Sequence, residues 1–268
     1  MEERRENARI KIKKELGTNK FTGETTPSDR SLVDRSRIMT RTAYSLLRAL
    51  AFYPLYLATD IIEFLVTVAR YYPNATFRRA DLQCLWTYLL RDPYKICERY
   101  LRDFPDDRVQ KMYGETFFTT LEVIAKAVDL SEHDVFYDLG CGRGRSVFWC
   151  NAIYQCHAIG VDINPEFVIQ ARKIKKKVGI DGVEFIFANL LDIDYDDATV
   201  IYLYGTAFND DALAKLVNRF AALRQGVRIV SVSCSLTHYT DAPLFELKQT
   251  IKGKYLWGYA DIYIYHKL

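Results

Sequence analysis

The pattern of apolar and polar residues changes near residue 130. Before that point, apolar residues follow helical spacing over Asp81–Leu101 and Thr119–Val128, with Pro93 and Pro105 as breaks. After it come short apolar runs rich in β-branched and aromatic residues, most of them separated by helical stretches. These runs are VFYDLG (135–140), HAIGVDI (157–163), VEFIFA (183–188), TVIYLY (199–204) and RIVSVSCS (228–235). Strands that alternate with helices predict a parallel sheet covered on both faces.

The last two apolar runs have no helix between them. They are FELKQTIK (245–252) and ADIYIYHKL (260–268). A connection this short joins antiparallel strands, because a parallel pair needs a crossover of about a dozen residues or more. The sequence therefore predicts an α/β fold in which a parallel sheet ends in an antiparallel pair.

The first part of the chain has a different composition. Residues 1–41 are polar and carry eleven Lys or Arg against seven Asp or Glu. Such a stretch lacks the apolar residues for a core of its own. We predict a mobile basic arm over 1–41, a helical N-terminal region over 42–110 and a catalytic domain over 111–268.

One segment of the helical region is strongly apolar. In Ala43–Arg70 the longest uncharged run, Ala49–Thr59, has 11 residues, whereas a membrane-spanning helix needs about 20. Pro54 splits the segment, and Asp60 and Glu63 interrupt it. We expect two buried helices that pack against the chain and do not span a bilayer. Contact with a membrane surface is the less favoured alternative.

Composition excludes several classes of protein. Hydrophobic residues are 49% and charged residues 26% of the chain, which is typical of a globular protein. A net charge of +3 is too small to indicate a nucleic-acid partner by itself. The six cysteines form no C-x-x-C pair, so we expect reduced thiols and no metal site. The N-terminus lacks the apolar stretch of a secretory signal, which favours a cytoplasmic or nuclear location.

The most informative motif is VFYDLGCGRGR, residues 135–145. Asp138 ends a strand, and three glycines occupy alternate positions before the next helix, at Gly140, Gly142 and Gly144. Glycines at such a turn let the backbone approach a ligand closely. Asp162 ends the following strand, where a carboxylate can bind both hydroxyls of a ribose. The alternatives are an ordinary strand-to-helix turn and, for Asp162, a helix cap.

Two features favour S-adenosylmethionine over a dinucleotide as cofactor. Asp138 precedes the first glycine, where it would repel a pyrophosphate but would tolerate a cationic sulfonium. The reversed C-terminal strand pair also matches a seven-stranded, Rossmann-like methyltransferase sheet. After the third strand, Asn189 is placed to contact the adenine amino group and Leu190 to pack on the ring. A plain turn is the alternative there.

Three longer stretches carry a resemblance to a known family. They are MYGETFFTTLEVIAKAVDLSEHDVFYDLGCGRGR, TVIYLYGTAFNDDALAKLVNRFAALRQGVRIVS and KGKYLWGYADIYIYH, which lie between about Lys111 and Leu268. Together they resemble the disruptor-of-telomeric-silencing type of non-SET histone lysine methyltransferases. The Y-G-E-T ahead of a helix, followed by the glycine loop, is far more specific than the loop alone.

The resemblance implies roles for particular residues. Tyr113 and Thr116 would hold the methionine end of S-adenosylmethionine, and Phe208 and Tyr263 would line the narrow channel for the target lysine. Asp138, Gly140 and Gly142 would form the cofactor loop, with Asp162 as the ribose carboxylate. A helix-entry contact for Tyr113 and an ordinary core position for Phe208 are the alternatives.

The sequence departs from the family pattern at two places. Tyr204 and Gly205 stand where the family has two asparagines at the end of the fourth strand. Arg145 stands where the family has Gln after the third glycine, and it could pair with the cofactor carboxylate. The first change alters the polar group beside the reacting amine. Both changes are compatible with methyl transfer, and both alter groups that would lie near the substrate or the cofactor.

Three functions follow from these observations. We favour a protein lysine methyltransferase, for which the resemblance implies a histone-like substrate. In it, Tyr204, Phe208 and Tyr263 would desolvate the lysine and lower its pKa from about 10.4. A methyltransferase for a small molecule, lipid or nucleic acid is the second hypothesis. A non-catalytic adenosyl-binding module is the third. The basic arm and the RKIKKK run (172–177) predict at most weak contact with nucleic acid, and a solvated helix face is the alternative for that run.

Overall fold

The computed structural model describes residues 54, 57–103, 113–256 and 258–268. The predicted basic arm lies outside these residues, as does most of the first half of the apolar segment 43–70. The described residues from 57 to 268 belong to one compact unit. The helices that precede the sheet therefore belong to the same unit as the sheet.

Four helices precede the sheet in the part of the chain that the structure describes. Helix α1 covers residues 57–70. It is followed by α2 (Ala75–Tyr88), α3 (Pro93–Asp103) and α4 (Phe118–Ala127). The side chain of Asn74 caps α2 by accepting from the backbone N–H of Phe77 at 2.9 Å. Pro93 begins α3, because its fixed φ and missing N–H suit the first turn of a helix.

Helix α1 corrects one expectation. The segment is helical as predicted, but within residues 57–70 only Thr67 is buried. Its large apolar side chains are 38% to 59% exposed, at Leu57, Ile61, Ile62, Phe64, Leu65 and Val68. The prediction of a buried helix is wrong here, because α1 contacts the domain through polar groups. Glu63 accepts from the Thr119 hydroxyl at 2.9 Å, and Arg70 donates to Glu122 at 2.8 Å.

No helix among the described residues is long and apolar enough to cross a membrane.

The sheet has seven strands in the order β3-β2-β1-β4-β5-β7-β6. Strands β1 to β5 are parallel to one another, whereas β7 is antiparallel to both β5 and β6. The strands are β1 (Val135–Leu139), β2 (His157–Asp162), β3 (Val183–Phe187), β4 (Val200–Tyr204), β5 (Arg228–Val232), β6 (Phe245–Tyr255) and β7 (Gly258–Lys267). This topology confirms the predicted α/β, Rossmann-like methyltransferase sheet with a reversed C-terminal pair.

Helices cover both faces of the sheet. Three further helices connect the parallel strands, namely α5 (Arg145–Tyr154), α6 (Pro165–Val178) and α7 (Asp210–Phe220). One buried cluster joins the inward sides of α2, α4, α5 and α6 to one face, and a second joins α7 to the other. The chain crosses from one side of β1 to the other between β3 and β4, so a crevice opens at the carboxyl ends of β1 and β4.

Candidate cofactor and acceptor site

The glycine loop leaves β1 in a conformation that other residues rarely adopt. The φ angles of Gly140, Gly142 and Gly144 are 89°, 51° and 75°, which is the left-handed region that glycine enters without strain. A Cβ on Gly142 would also lie 2.9 Å from the Tyr113 ring, and one on Gly144 would overlap the ring of Phe185. Backbone conformation and close packing both require glycine here.

Asp138 is a buried carboxylate at the end of β1. It is 4% exposed, and the hydroxyl of Ser146 donates to it. Burial raises the pKa of Asp138 to about 7, and the charge of Asp162 adds to the rise, although the Ser146 hydrogen bond opposes it. A carboxylate in this state favours a cationic ligand, because a nearby positive charge would restore its ionised form.

Asp162 is the second buried carboxylate of the site. One oxygen accepts from the backbone N–H of Gly142 at 2.7 Å, and the other accepts from the N–H of Asn164 at 2.7 Å. Burial raises its pKa to about 6, although both backbone hydrogen bonds act to lower it. The cap of α6 is Asn164, whose side chain accepts from the Glu166 N–H at 3.0 Å. Asp162 is thus free of the capping role, and it lines a cavity with lone pairs left for a further hydrogen bond.

A cavity at the carboxyl ends of the strands brings most of the predicted residues together. Asp162 lines it beside the glycine loop. Other predicted residues also line it, namely Tyr113, Gly140, Gly142, Asn189, Leu190, Tyr204 and Phe208. The side-chain oxygen of Asn189 accepts from the Leu191 N–H at 3.0 Å, so this residue forms a turn as well as a wall. Its contact with adenine stays a prediction.

A second cavity adjoins the first and contains the other end of the predicted site. It is lined by Tyr113, Thr116, Asp138 and Tyr204, among others. The Thr116 hydroxyl lies 2.5 Å from that of Tyr202. Because Tyr113 and Tyr204 line both cavities, an extended ligand could occupy them together. The cavity with Asp162 suits a ribose and a base, and the cavity with Asp138 suits a cationic tail.

Arg145 is held by carboxylates of the protein itself. It lines the second cavity, but its Nε donates to Asp81 at 2.8 Å and its Nη1 donates to Glu115 at 3.1 Å. Asp81 lies on α2, 64 positions away, so no local sequence pattern indicates this pair. The pairing of Arg145 with a cofactor carboxylate remains a prediction, and these two ion pairs compete with it.

Tyr263 lies apart from the predicted channel. It lines neither of these cavities, and its ring stacks on Tyr265 with centroids 6.4 Å apart. In a strand, successive side chains point to opposite faces, and Tyr263 packs with the cluster that contains α7. The aromatic residue next to Tyr204 is Tyr255 of β6, with ring centroids 5.6 Å apart. The expectation that Tyr263 forms a wall is therefore not met by this arrangement.

Asn164 is a site residue that sequence reasoning missed. It is 4% exposed and lines the first cavity, and among the described residues its amide nitrogen has no hydrogen-bond partner. A buried amide without a partner costs free energy, which a hydroxyl ligand would recover. The signal was present in Asn164–Pro165, which follows Asp162 and marks a helix start.

The residues present fit S-adenosylmethionine. The unpartnered amide of Asn164 and the remaining lone pairs of Asp162 match the two hydroxyls of a ribose. Leu190 offers an apolar surface for a base. At the other end, the buried carboxylate of Asp138 matches a positive charge. The cavities therefore complement the cofactor in polarity at both ends.

Comparisons with known proteins agree with this geometry. Residues 138–242 match the family model of the ANTKMT methyltransferase domain. A protein-lysine N-methyltransferase of Saccharolobus islandicus (strain REY15A) is 32% identical over 105 residues, which are 38% of this chain and 63% of that protein. The H3 lysine-79 specific histone-lysine N-methyltransferase of Drosophila melanogaster is 25% identical over 174 residues, which are 60% of this chain and 9% of that protein.

The chain thus spans less than two thirds of the length of both curated relatives. Among solved structures, an RNA methyltransferase from Salinibacter ruber in complex with S-adenosyl-L-homocysteine is similar with a TM-score of 0.48. It is 28% identical, with 57% of this chain and 93% of that chain covered.

The sheet order, the glycine loop and the two buried carboxylates are typical of a class I methyltransferase fold, and the cavities fit S-adenosylmethionine. Within that class the chain is similar to the non-SET lysine methyltransferases, and residues 138–242 match the model of the ANTKMT methyltransferase domain. These similarities agree with the expected kind of protein and the expected cofactor.

The role of Asp162 can be tested directly. We expect Asp162→Ala to weaken cofactor binding by about 1.5 to 3 kcal/mol, the range for hydrogen bonds to a charged group. Isothermal titration calorimetry with S-adenosyl-L-homocysteine measures this change. Asp181→Ala, which removes an exposed carboxylate before β3, is the control and should bind normally. Unchanged affinity in a folded Asp162→Ala protein would exclude the ribose role.

Proposed function

We propose that this protein transfers a methyl group from S-adenosylmethionine to the side-chain amine of a lysine on a protein substrate. The observation that carries the proposal is the position of Tyr204. This aromatic residue ends β4 and lines both cavities, so it lies where the two ends of an extended cofactor would meet. The similarity to a protein-lysine N-methyltransferase supports the same acceptor.

Different residues of the chain would bind different parts of the cofactor. Asp162 and Asn164 bind the ribose hydroxyls, and Leu190 packs against the base. Tyr113, Thr116 and Asp138 hold the methionine end. The cofactor, when bound, supplies a methyl group on a positively charged sulfur. The protein contributes orientation and exclusion of water, which are large effects in a displacement between two aligned groups.

The acceptor amine has to lose a proton before it can react. A free lysine has a pKa of about 10.4, and an apolar surrounding lowers this value because it disfavours the charged form. Tyr204 and Phe208 supply such a surrounding at the first cavity. Proton release to solvent during entry would then prepare the amine, so the mechanism assigns no general base to the protein.

A second acceptor class has a specific observation in its favour. Helix α1 exposes a row of large apolar side chains, among them Ile61, Phe64 and Leu65. This surface is compatible with an acceptor of apolar character, such as a lipid, or with contact to a membrane surface. Tyr204–Gly205 stands where the resembled family has two asparagines, and this change is also compatible with an acceptor other than lysine.

Labelled methyl transfer separates these acceptors. We expect radioactive methyl from S-adenosylmethionine to appear in the protein fraction of a cell lysate, on lysine when mapped by mass spectrometry. Phe208→Ala should lower kcat about tenfold or more, because one misplaced group at a reacting centre can cost up to about a hundredfold. Tyr263→Phe, which lies outside both cavities, is the control and should keep its activity. Label confined to lipid, nucleic acid or small molecules would refute the proposal.

A further inference from the structure

A cluster of charged side chains lies between the N-terminal helices and the glycine loop. Glu115 is its centre. Arg143 binds both of its oxygens, with Nε and Nη2 each at 2.5 Å, and Arg145 donates to it at 3.1 Å. Arg145 also binds Asp81 of α2 at 2.8 Å. An arginine fork that meets both oxygens of a carboxylate fixes direction as well as distance.

The cluster is largely shielded from water. The side chain of Asp81 is 1% exposed, and those of Arg143, Arg145 and Glu115 are 13%, 24% and 28% exposed. Burial acts to raise the pKa of Glu115, but the two arginines outweigh it and lower the pKa to about 2. Each arginine also lies over an aromatic ring, Arg143 over Tyr88 of α2 and Arg145 over Phe118 of α4. These contacts leave the guanidinium groups little freedom to move.

Glu115 also holds Tyr113. The Tyr113 hydroxyl donates to Glu115 at 2.5 Å. The ring of Tyr113 lies against Gly142, so close that an added Cβ there would be 2.9 Å away. Glu115 therefore joins the segment 113–116 to the two arginines of the glycine loop. On the opposite side, the backbone N–H of Gly142 is held by Asp162.

We propose that Glu115 is a positioning residue, which keeps Tyr113 and Thr116 closed over the methionine end of the cofactor, and that Asp81 of α2 supports it by holding Arg145. The inference rests on the proposed function only in that the cofactor is S-adenosylmethionine. It makes α2 a part of the cofactor site. A helix that precedes the sheet would then control how tightly the amino-acid end of the cofactor is bound.

The mechanism follows from the charges. Without the Asp81 carboxylate, Arg145 keeps a largely shielded positive charge, for which Glu115 is the remaining ion-pair partner among the described residues. Glu115 would then shift toward Arg145 and loosen its fork with Arg143 and its hydrogen bond with Tyr113. Without the Glu115 charge, both arginines lose their shared partner. In either case Tyr113 loses its fixed place beside the loop, and Thr116 keeps its contact with Tyr202 but loses the support of Glu115 beside it. Asp162 and Asn164 keep their places.

Two ligands distinguish positioning from general damage. S-adenosyl-L-homocysteine contains the amino-acid end, and 5′-methylthioadenosine lacks it. We expect Glu115→Gln and Asp81→Asn to weaken binding of the first ligand by about tenfold or more, the loss typical of a hydrogen bond to a charged group. Both affinities are measured by isothermal titration calorimetry. The affinity for 5′-methylthioadenosine should stay within about twofold of that of the unchanged protein.

A matched control comes from the opposite end of β1. Asp134 precedes that strand, is buried and pairs with Arg228. Asp134→Asn therefore breaks a buried ion pair of the same kind far from the cavities. It should lower the melting temperature and leave the affinities for both ligands unchanged. Arg143→Lys is a second variant, which keeps the charge but loses the fork, and it should act like Glu115→Gln.

Three results would overturn the inference. They are normal S-adenosyl-L-homocysteine binding by the folded Glu115→Gln and Arg143→Lys proteins, an equal loss for both ligands, or the same selective loss in Asp134→Asn. Failure of the proposed function looks different, because the unchanged protein would then bind the ligands but transfer no methyl to lysine.

Discussion

Replacing Asp138 by asparagine is expected to make the protein more stable at pH 8 and to remove most of its affinity for the cofactor. The carboxyl has an ordinary pKa of 3.8, and burial raises it to about 7 in the fold. Between these values the folded protein holds a proton that the unfolded chain has released. The free energy of unfolding therefore falls as the pH rises through this window. Above about pH 7 the buried carboxylate is charged, and the loss of stability is complete.

Asparagine has the same shape without the charge, and its oxygen can still accept from Ser146. The gain at pH 8 should be a few kcal/mol, since each pKa unit corresponds to about 1.4 kcal/mol. At pH 4 little of the gain should remain. Cofactor affinity should fall by about 1.5 to 3 kcal/mol or more, because a positively charged group loses its carboxylate partner. Such an exchange of stability for binding is common at functional sites.

Melting temperatures measured from pH 4 to pH 8, together with calorimetric titration of S-adenosyl-L-homocysteine, check both parts. Asp134→Asn is a control whose effect on stability should have the opposite sign. Burial acts to raise the pKa of Asp134, but hydrogen bonds from Thr199 and Ser131 and the charge of Arg228 outweigh it, so the pKa is lowered. That variant should lose stability at neutral pH and lose less in acid. A less stable Asp138→Asn protein at pH 8, or one with unchanged affinity, would contradict the prediction.

Gly144→Ala should destabilise the fold by about 2 to 5 kcal/mol. Its φ of 75° costs an alanine about 1 to 2 kcal/mol. The new methyl group would also overlap the ring of Phe185, which is 4% exposed and packs against Phe148 with ring centroids 5.1 Å apart. Overpacking of a core costs typically about 1 to 3 kcal/mol more. Urea unfolding measures the sum.

Gly179→Ala is the matched control. Its φ is 74° and nothing lies within 4 Å of an added Cβ. This variant should show the backbone cost alone, about 1 to 2 kcal/mol. Because the two glycines have nearly the same φ, the difference between the variants isolates the contact with Phe185. Equal losses of stability at both positions would mean that Phe185 moves aside without cost.

The strands could be predicted closely from the sequence. The run at 135–140 became β1 (Val135–Leu139), and that at 157–163 became β2 (His157–Asp162). The last two strands extend further toward each other than expected. Strand β6 ends at Tyr255, and β7 begins at Gly258. Buried parallel strands are apolar over their full length, so composition marks their ends. The hairpin is more polar, and pairing between its strands extends it beyond the apolar runs.

The sequence by itself determined the class of fold, the glycine loop and the positions of Asp138 and Asp162. These features depend on neighbouring residues, because a strand end, a tight turn and a helix start are encoded within a few positions. Their chemistry also has a local origin, since a carboxylate at the end of a buried strand lies at the edge where ligands bind.

Only the tertiary structure decided which groups are already paired. Arg145 reaches Asp81 across 64 positions of sequence, and no local pattern announces such a contact. The exposure of α1 and the position of Tyr263 outside the cavities also depend on contacts between residues that are distant in the sequence. An unpartnered amide such as that of Asn164 is equally invisible in the sequence, because a hydrogen bond that is missing depends on everything packed around the group.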